Sequence, residues 1–216
     1  MSGILRWKVA QFAERRWWRN YLKKKEPRDY LLWKKQYWQD FHDKFREHID
    51  LQANSKIADL GCGPAGIFIL FPEHDVVAVD PLIEAYSNDL PHFNTENYPK
   101  VKFVNSSIED FQESEKFDTV YCINAINHVR DLQLGYQRLV ECTKKGGKII
   151  LSIDAHNHRF LKKIFQLLPG DILHPHQYEL KEYETFCKEA GCQILESLLL
   201  DEAFIFNYYV IVLEKL

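Results

Sequence analysis

The chain has 216 residues, 46% apolar and 27% charged, which is enough for one complete core with a decoration and an ordinary globular balance. No apolar run reaches the length of a membrane span. Arg6, Lys8, Arg15 and Arg16 interrupt the N-terminal apolar stretch, so it does not read as a cleavable signal peptide. The net charge of −3 is uneven: residues 1–50 hold 13 Lys+Arg against 7 Asp+Glu and all five Trp, and the remainder holds 15 against 24. An acidic main body argues against nucleic acid as a partner. The five cysteines (Cys62, Cys122, Cys142, Cys187, Cys192) are odd in number and lack C-x-x-C spacing. They read as reduced, mostly buried thiols of a cytoplasmic protein.

In chain order, residues 4–24 read as a helix that Pro27 ends. From Asp29 to about Ile49 a second helix carries Tyr30, Trp33, Tyr37, Phe41, Phe45 and Ile49 at three- and four-residue steps, one apolar face. Lys56–Leu60 is the first strand. The turn Gly61-Cys62-Gly63-Pro64-Ala65-Gly66 then fits G-x-G-x-x-G, a nucleotide-binding pattern when it follows a strand and opens a helix, here a helix including Ile67–Leu70. Val76–Val79 is the second strand. It ends in Asp80, 19 residues after Gly61, near the ~20-residue spacing at which an acid meets ribose hydroxyls.

A helix over Leu82–Leu90 stops at Pro91, and Val101–Val104 is the third strand. The continuous apolar run of Phe117–Ile123 suits a central strand covered on both faces. Asp131–Cys142 is a helix, Gly146-Gly147 turns the chain, and Lys148–Ile153 is the fifth strand. Residues 154–177 are irregular and carry four of the nine histidines. Loops of this length inside a compact domain are usually functional or disordered. Glu179–Ala190 is a helix stopped by Gly191, and Gln193–Leu199 and Phe204–Leu213 form a closing pair of strands joined at Asp201-Glu202.

The stretches Asp59-Leu60-Gly61-Cys62-Gly63-Pro64-Ala65-Gly66, Val79-Asp80, Phe117-Asp118-Thr119-Val120, Asn127-His128-Val129-Arg130-Asp131 and Gly146-Gly147-Lys148-Ile149-Ile150-Leu151 together resemble class I S-adenosylmethionine-dependent methyltransferases of the small-molecule type. The match runs from about Lys56 to the C-terminus. It implies a Rossmann-like α/β fold: a seven-stranded, mostly parallel sheet with a C-terminal antiparallel hairpin, over residues 51–216. Residues 1–50, outside the match, read as a helical cap or lid. The cofactor it implies is S-adenosyl-L-methionine. The activity it implies is in-line methyl transfer to oxygen or nitrogen of a small organic acceptor.

The resemblance places Asp80 and Pro81 at the ribose, and the backbone of Gly61, Cys62, Gly63 and Gly66 along the methionine end. Asp59 is expected near the ammonium group, directly or through water, or else bonded to turn amides. Ser107 stands where the family usually has an acid facing adenine, so adenine contact is expected from Ser107 and the backbone of Ile108. Asn124 and Ala125, at the end of the fourth strand, and Tyr37 and Trp38 complete the expected cofactor shell.

A hydroxyl or ammonium acceptor must lose a proton, and histidine is the usual base near neutral pH. His128, His156 and His176 are the candidates, with His158 and His174 beside them. Two have a plainer alternative: a cofactor-side structural residue for His128, and helix-start bonding for His176. The paired histidines 156/158 and 174/176 lack a nearby Cys or paired acid, poor geometry for a metal, so none is expected. No Asn/Asp-Pro-Pro-Tyr/Phe follows the fourth strand and no separate RNA-binding module is seen, which favours a small-molecule acceptor.

Three rivals stand beside this: a non-catalytic cofactor-binding scaffold or partner subunit, an NAD(P) oxidoreductase, and a lipid- or quinone-directed methyltransferase docked at a membrane by the Trp-rich N-terminus. The NAD(P) option is disfavoured by Asp59, which repels a pyrophosphate, and by the terminal hairpin. The N-terminal aromatics suit packing onto the sheet or a second subunit, an acceptor lid, or peripheral membrane contact. Monomer and homodimer are both open.

Overall fold

The computed structural model describes residues 3–156 and 178–216. Its helices are α1 (Gly3–Leu22), α2 (Pro27–Asp43), α3 (Ile83–Asp89), α4 (Leu132–Cys142) and α5 (Leu180–Glu189). Its strands are β1 (Lys56–Leu60), β2 (Asp75–Val79), β3 (Val101–Val104), β4 (Phe117–Ile123), β5 (Thr143–His156), β6 (Cys192–Glu202) and β7 (Phe206–Lys215). They form a single seven-stranded sheet in the order β3-β2-β1-β4-β5-β7-β6. Strands β1 to β5 pair in parallel, and β7 runs antiparallel between β5 and β6. The α/β class and the closing hairpin expected from the sequence are therefore present.

The strand period of two sorts side chains between two cores. Ala58, Leu60, Val120, Cys122, Ile149 and Leu151 face α4 and α5. Ile57, Val76, Ala78, Tyr121 and Ile150 face the other side, where they meet Tyr30, Trp38, Phe41 and Phe45 of the N-terminal segment. That half of the segment's aromatics thus packs onto the sheet. Trp33, one of the expected stripe, points outward and is 52% exposed, and Trp38 is buried in its place. All five cysteines are buried and unbridged.

Three element boundaries differ from the sequence-based expectation. Helix α2 starts on Pro27, with Glu26 accepting from Asp29 N, and ends at Asp43 rather than Ile49. There the chain tightens, Lys44 N bonding to Phe41 O, and Phe45 drops into the core with no exposed surface. Ile67–Leu70 is a single 3-10 turn and not an α-helix. Pro64 and Pro72 bracket it, each without a backbone donor and each restricting the residue before it. Strand β5 begins before the glycine pair: Phe117 pairs with Thr143 and Thr119 with Lys148, so Gly146-Gly147 is a bulge within the strand, with Gly146 at φ +73°.

Candidate functional site

A cleft of about 200 Å³ opens beyond the carboxyl ends of β1, β2 and β4. This is where ligands bind in open α/β sheets. Its floor is the glycine turn. Gly61 sits at φ +75° and Gly63 at φ +58°. A Cβ on Gly61 would come 2.2 Å from the Ala125 Cβ, so glycine is required by both conformation and space. The amides of Gly61 and Cys62 both donate to Val79 O, which ties the turn to the end of β2.

Asp80 follows β2 and lines the cleft, 5% exposed. Its Oδ2 accepts from Gly63 N at 2.9 Å and its Oδ1 from Leu82 N at 2.8 Å. Burial pushes its carboxyl up to about 6, against those two donors. Each oxygen keeps a lone pair for a ligand donor. Asp59 lies one layer below, outside the cleft lining. It accepts from Phe68 N at 3.1 Å, and a Cβ on Gly66 would come 2.4 Å from its Oδ2. Asp59 and Gly66 therefore shape the turn from beneath, the turn-amide alternative named for Asp59. Because 3-10 turns follow the glycines, no helix N-terminus faces the cleft there to attract a pyrophosphate.

Cys62, Gly63, Pro81, Ser107, Ile108, Asn124, Ala125, Tyr37, Trp38 and His128 all line the cleft. Trp38 Nε1 donates to Ala65 O at 2.8 Å, which fixes α2 to the turn. Asn124 takes φ +52°, its amide donating to Ser152 Oγ. Ser107 Oγ donates to Asp110 Oδ2 at 2.7 Å, and Arg130 reaches both residues. His128 ends a 3-10 turn at the far side of the cleft, its amide bonded to Ala125 O. His156 is brought elsewhere: it ends β5, 5% exposed, its ring centroid 4.3 Å from that of Phe206 and outside the lining. His158, His174 and His176 lie outside the described residues. Glu47, His48 and Glu196 come together away from the cleft, where His48 Nε2 and Glu196 Oε2 are 2.7 Å apart.

The sequence expectation of a cap or lid over residues 1–50 named no residue of α1. Trp7, Gln11, Glu14 and Trp18, at steps of four, three and four, present one helical face to the cleft. Arg130 stacks over the Trp7 ring, 5.1 Å from its centroid, and Arg15 makes a two-point ion pair with Asp89 at 2.6 and 2.8 Å. These contacts hold the helix down at both sides. Lys34 was also missed: it lines the cleft, with its ammonium 4.1 Å from the Trp38 ring centroid. Burial pulls it down to about 8, with Asp59 opposing. The donor set fits a nucleoside carrying both charges. Asp80 suits a diol, Lys34 a carboxylate, and the buried Gln11 Oε1, which has no donor among the described residues, suits an N–H or O–H.

A family model described as a methyltransferase domain matches residues 51–191. The ubiquinone biosynthesis O-methyltransferase of Rickettsia bellii is 30% identical over 112 residues, 51% of this chain and 46% of that protein. The tRNA U34 carboxymethyltransferase of Alteromonas mediterranea is 28% identical over 117 residues, 50% of this chain and 35% of that protein. The match thus spans less than half the length of either relative. Among solved structures, an S-adenosylmethionine-dependent methyltransferase from Clostridium acetobutylicum superposes with a TM-score of 0.64 at 18% identity, covering 84% of this chain and 92% of that one. This last likeness bears on fold alone.

Proposed function

The chain belongs to the methyltransferase-domain family, the class I S-adenosylmethionine-dependent enzymes, and from that premise we propose that it methylates oxygen or nitrogen of a small organic acceptor. The observation that supports this most is the pairing of the Gly61–Gly63 turn with Asp80 in one cleft: a backbone floor that admits a ligand closely, beside a buried carboxylate with acceptor capacity left over. S-adenosylmethionine, when bound, supplies a methyl group on a sulfonium leaving group, so the chain's task is orientation and exclusion of water. Asp80 holds the ribose hydroxyls. Lys34 pairs with the methionine carboxylate. Ser107 and Ile108 meet the adenine, and Asn124 and Ala125 form the wall toward the acceptor. His128 borders the same space and is placed to contact the cofactor or to take the acceptor's proton.

The relatives' names span a quinone precursor and a tRNA base, so they do not choose an acceptor. The acidic main body favours a small molecule over RNA. Incubation with methyl-labelled cofactor and pools of phenols, amines and carboxylic acids tests this, with S-adenosylhomocysteine as readout. Label transferred to a small molecule is expected. Transfer to tRNA alone would overturn the acceptor class, and cofactor binding without turnover on any pool would favour the scaffold alternative. The buried, unbridged thiols suit a reducing, cytoplasmic setting.

The outward face of the N-terminal helices favours a second version of this function. No described helix is long and apolar enough to cross a membrane. Yet Phe12 is 66% and Trp17 50% exposed, beside exposed Arg16, Arg19 and Lys23. A groove next to them is lined by Arg15, Arg19, Lys23 and Lys25 against Asp89. Apolar rings interleaved with cations fit the interface of an anionic phospholipid surface. In this version the acceptor is apolar and partitions into that surface.

A further inference from the structure

Helix α1 walls the cleft, and two of its polar side chains face into it. Gln11 Oε1 is a buried acceptor without a donor among the described residues. Glu14 is half-buried and faces the same space as Asp80. Burial and the neighbouring Asp80 both disfavour the charged form of Glu14, so a carboxyl at this position is costly to the fold by itself. Trp18, one turn on, lies beside Glu14 and lowers its carboxyl against the effect of burial. Trp18 itself lies 3.4 Å from where a Gly63 Cβ would stand, directly over the turn. Tyr86 of α3 lies beside both carboxylates. Glu14 and Asp80 thus line one cleft, at the position assigned to the ribose.

We propose that α1 completes the cofactor site: Glu14 accepts from the ribose diol alongside Asp80, and Gln11 Oε1 accepts from a further donor of the nucleoside. The proposal rests on the methyltransferase reading and adds the ligand contact that the cap makes. A vicinal diol has two O–H donors. Asp80 receives Gly63 N and Leu82 N and keeps one lone pair on each oxygen, and a second acceptor gives the diol an additional partner. The distance from Trp7 to Trp18 along the helix is about 16 Å at 1.5 Å per residue, long enough to cover the nucleoside from the Arg130 side to the glycine turn. The Arg15–Asp89 and Trp7–Arg130 contacts are then the latches of a lid. The cofactor enters and leaves when they open.

The test is calorimetric titration of the full chain with S-adenosylhomocysteine and with its 2′,3′-dideoxy analogue. Glu14→Leu is expected to weaken S-adenosylhomocysteine about 10- to 100-fold, as leaving a buried ligand hydroxyl without its partner does. The same variant should leave the dideoxy analogue within about threefold of its wild-type affinity. Glu14→Gln, of the same shape, should fall between and retains the fold should the leucine variant not. Gln11→Leu should weaken both ligands alike. Equal losses of the two ligands in the Glu14 variants, or no loss in either, would overturn the proposal. A folded wild-type protein that binds neither ligand would instead overturn the methyltransferase reading. Arg15→Ala should speed ligand release in stopped-flow measurements, and an unchanged rate would remove the latch.

Discussion

Asp80→Asn separates the cofactor site from the fold. The aspartate accepts two backbone bonds, one on each oxygen, from Gly63 N at 2.9 Å and Leu82 N at 2.8 Å. Asparagine offers one oxygen and one NH₂, so whichever way it turns, a donor faces a donor at one of those amides. An unpaired buried amide costs about 1–3 kcal/mol. Against this, the carboxyl is held up from 3.8 to about 6, chiefly by burial, and removing its charge relieves about 3 kcal/mol above pH 6. The two terms nearly cancel, and the ligand-free variant should melt within a few degrees of the wild type. Cofactor binding has no such compensation. The ribose loses one charge-assisted bond, and the other is weakened, for about 2–4 kcal/mol, or about 30- to 1,000-fold in Kd. Titration with S-adenosylhomocysteine measures the loss, and thermal unfolding on the same samples checks the fold. A Kd within about threefold of wild type would refute the ribose assignment.

Gly61→Ala combines a positive φ with a Cβ 2.2 Å from that of Ala125. Strain and overpacking together should cost about 2–5 kcal/mol and abolish cofactor binding, and an unchanged melting temperature would show that the turn tolerates a side chain. Glu14 is raised from 4.5 to about 8, mainly by burial and then by Asp80. The folded state therefore holds that proton more tightly than the unfolded chain. Its stability contribution is full below pH 4.5 and is lost as pH rises to about 8. The ligand-free protein should melt lower at pH 9 than at pH 6, by about 2–4 °C for each 1 kcal/mol lost. Glu14→Gln should flatten that difference, and an equal slope in the variant would contradict it. His128→Asn should weaken S-adenosylhomocysteine severalfold if the histidine contacts the cofactor, as expected; a fall in kcat with unchanged affinity would assign it to the acceptor's proton instead. Flotation with vesicles rich in anionic lipid should recover the wild type and lose a Phe12→Ser, Trp17→Ser double variant, and absence of the wild type from the floated fraction would end the membrane version.

The parallel strands were legible because each is a short apolar run closed by a turn residue, and the strand period then sorts their side chains to either face. Asp80 was legible because chain spacing alone carries it to the end of β2. The helix expected at Ile67–Leu70 was not recoverable from its apolar pattern, since four apolar residues fit a 3-10 turn equally and the flanking prolines decide. The inward face of α1 was hidden for another reason. Trp7, Gln11, Glu14 and Trp18 have the spacing of one helical face, but they mix polar and aromatic types, so no hydrophobic period marks them. What selects that face is distant in sequence: Arg15 meets Asp89 across 74 positions, and Trp7 meets Arg130. Lys34 falls outside the aromatic stripe of α2 for the same reason. Asp59 kept two options in the sequence, and its contact with Phe68 N needed the folded turn to appear.

Titration of the unmodified chain with S-adenosylhomocysteine, at a pH where the circular dichroism is that of a folded α/β protein, bears on the cofactor cleft most directly. Saturable one-to-one binding with a matching rise in melting temperature is the expected result. A cooperatively folded protein giving neither heat nor thermal shift at millimolar ligand would contradict it.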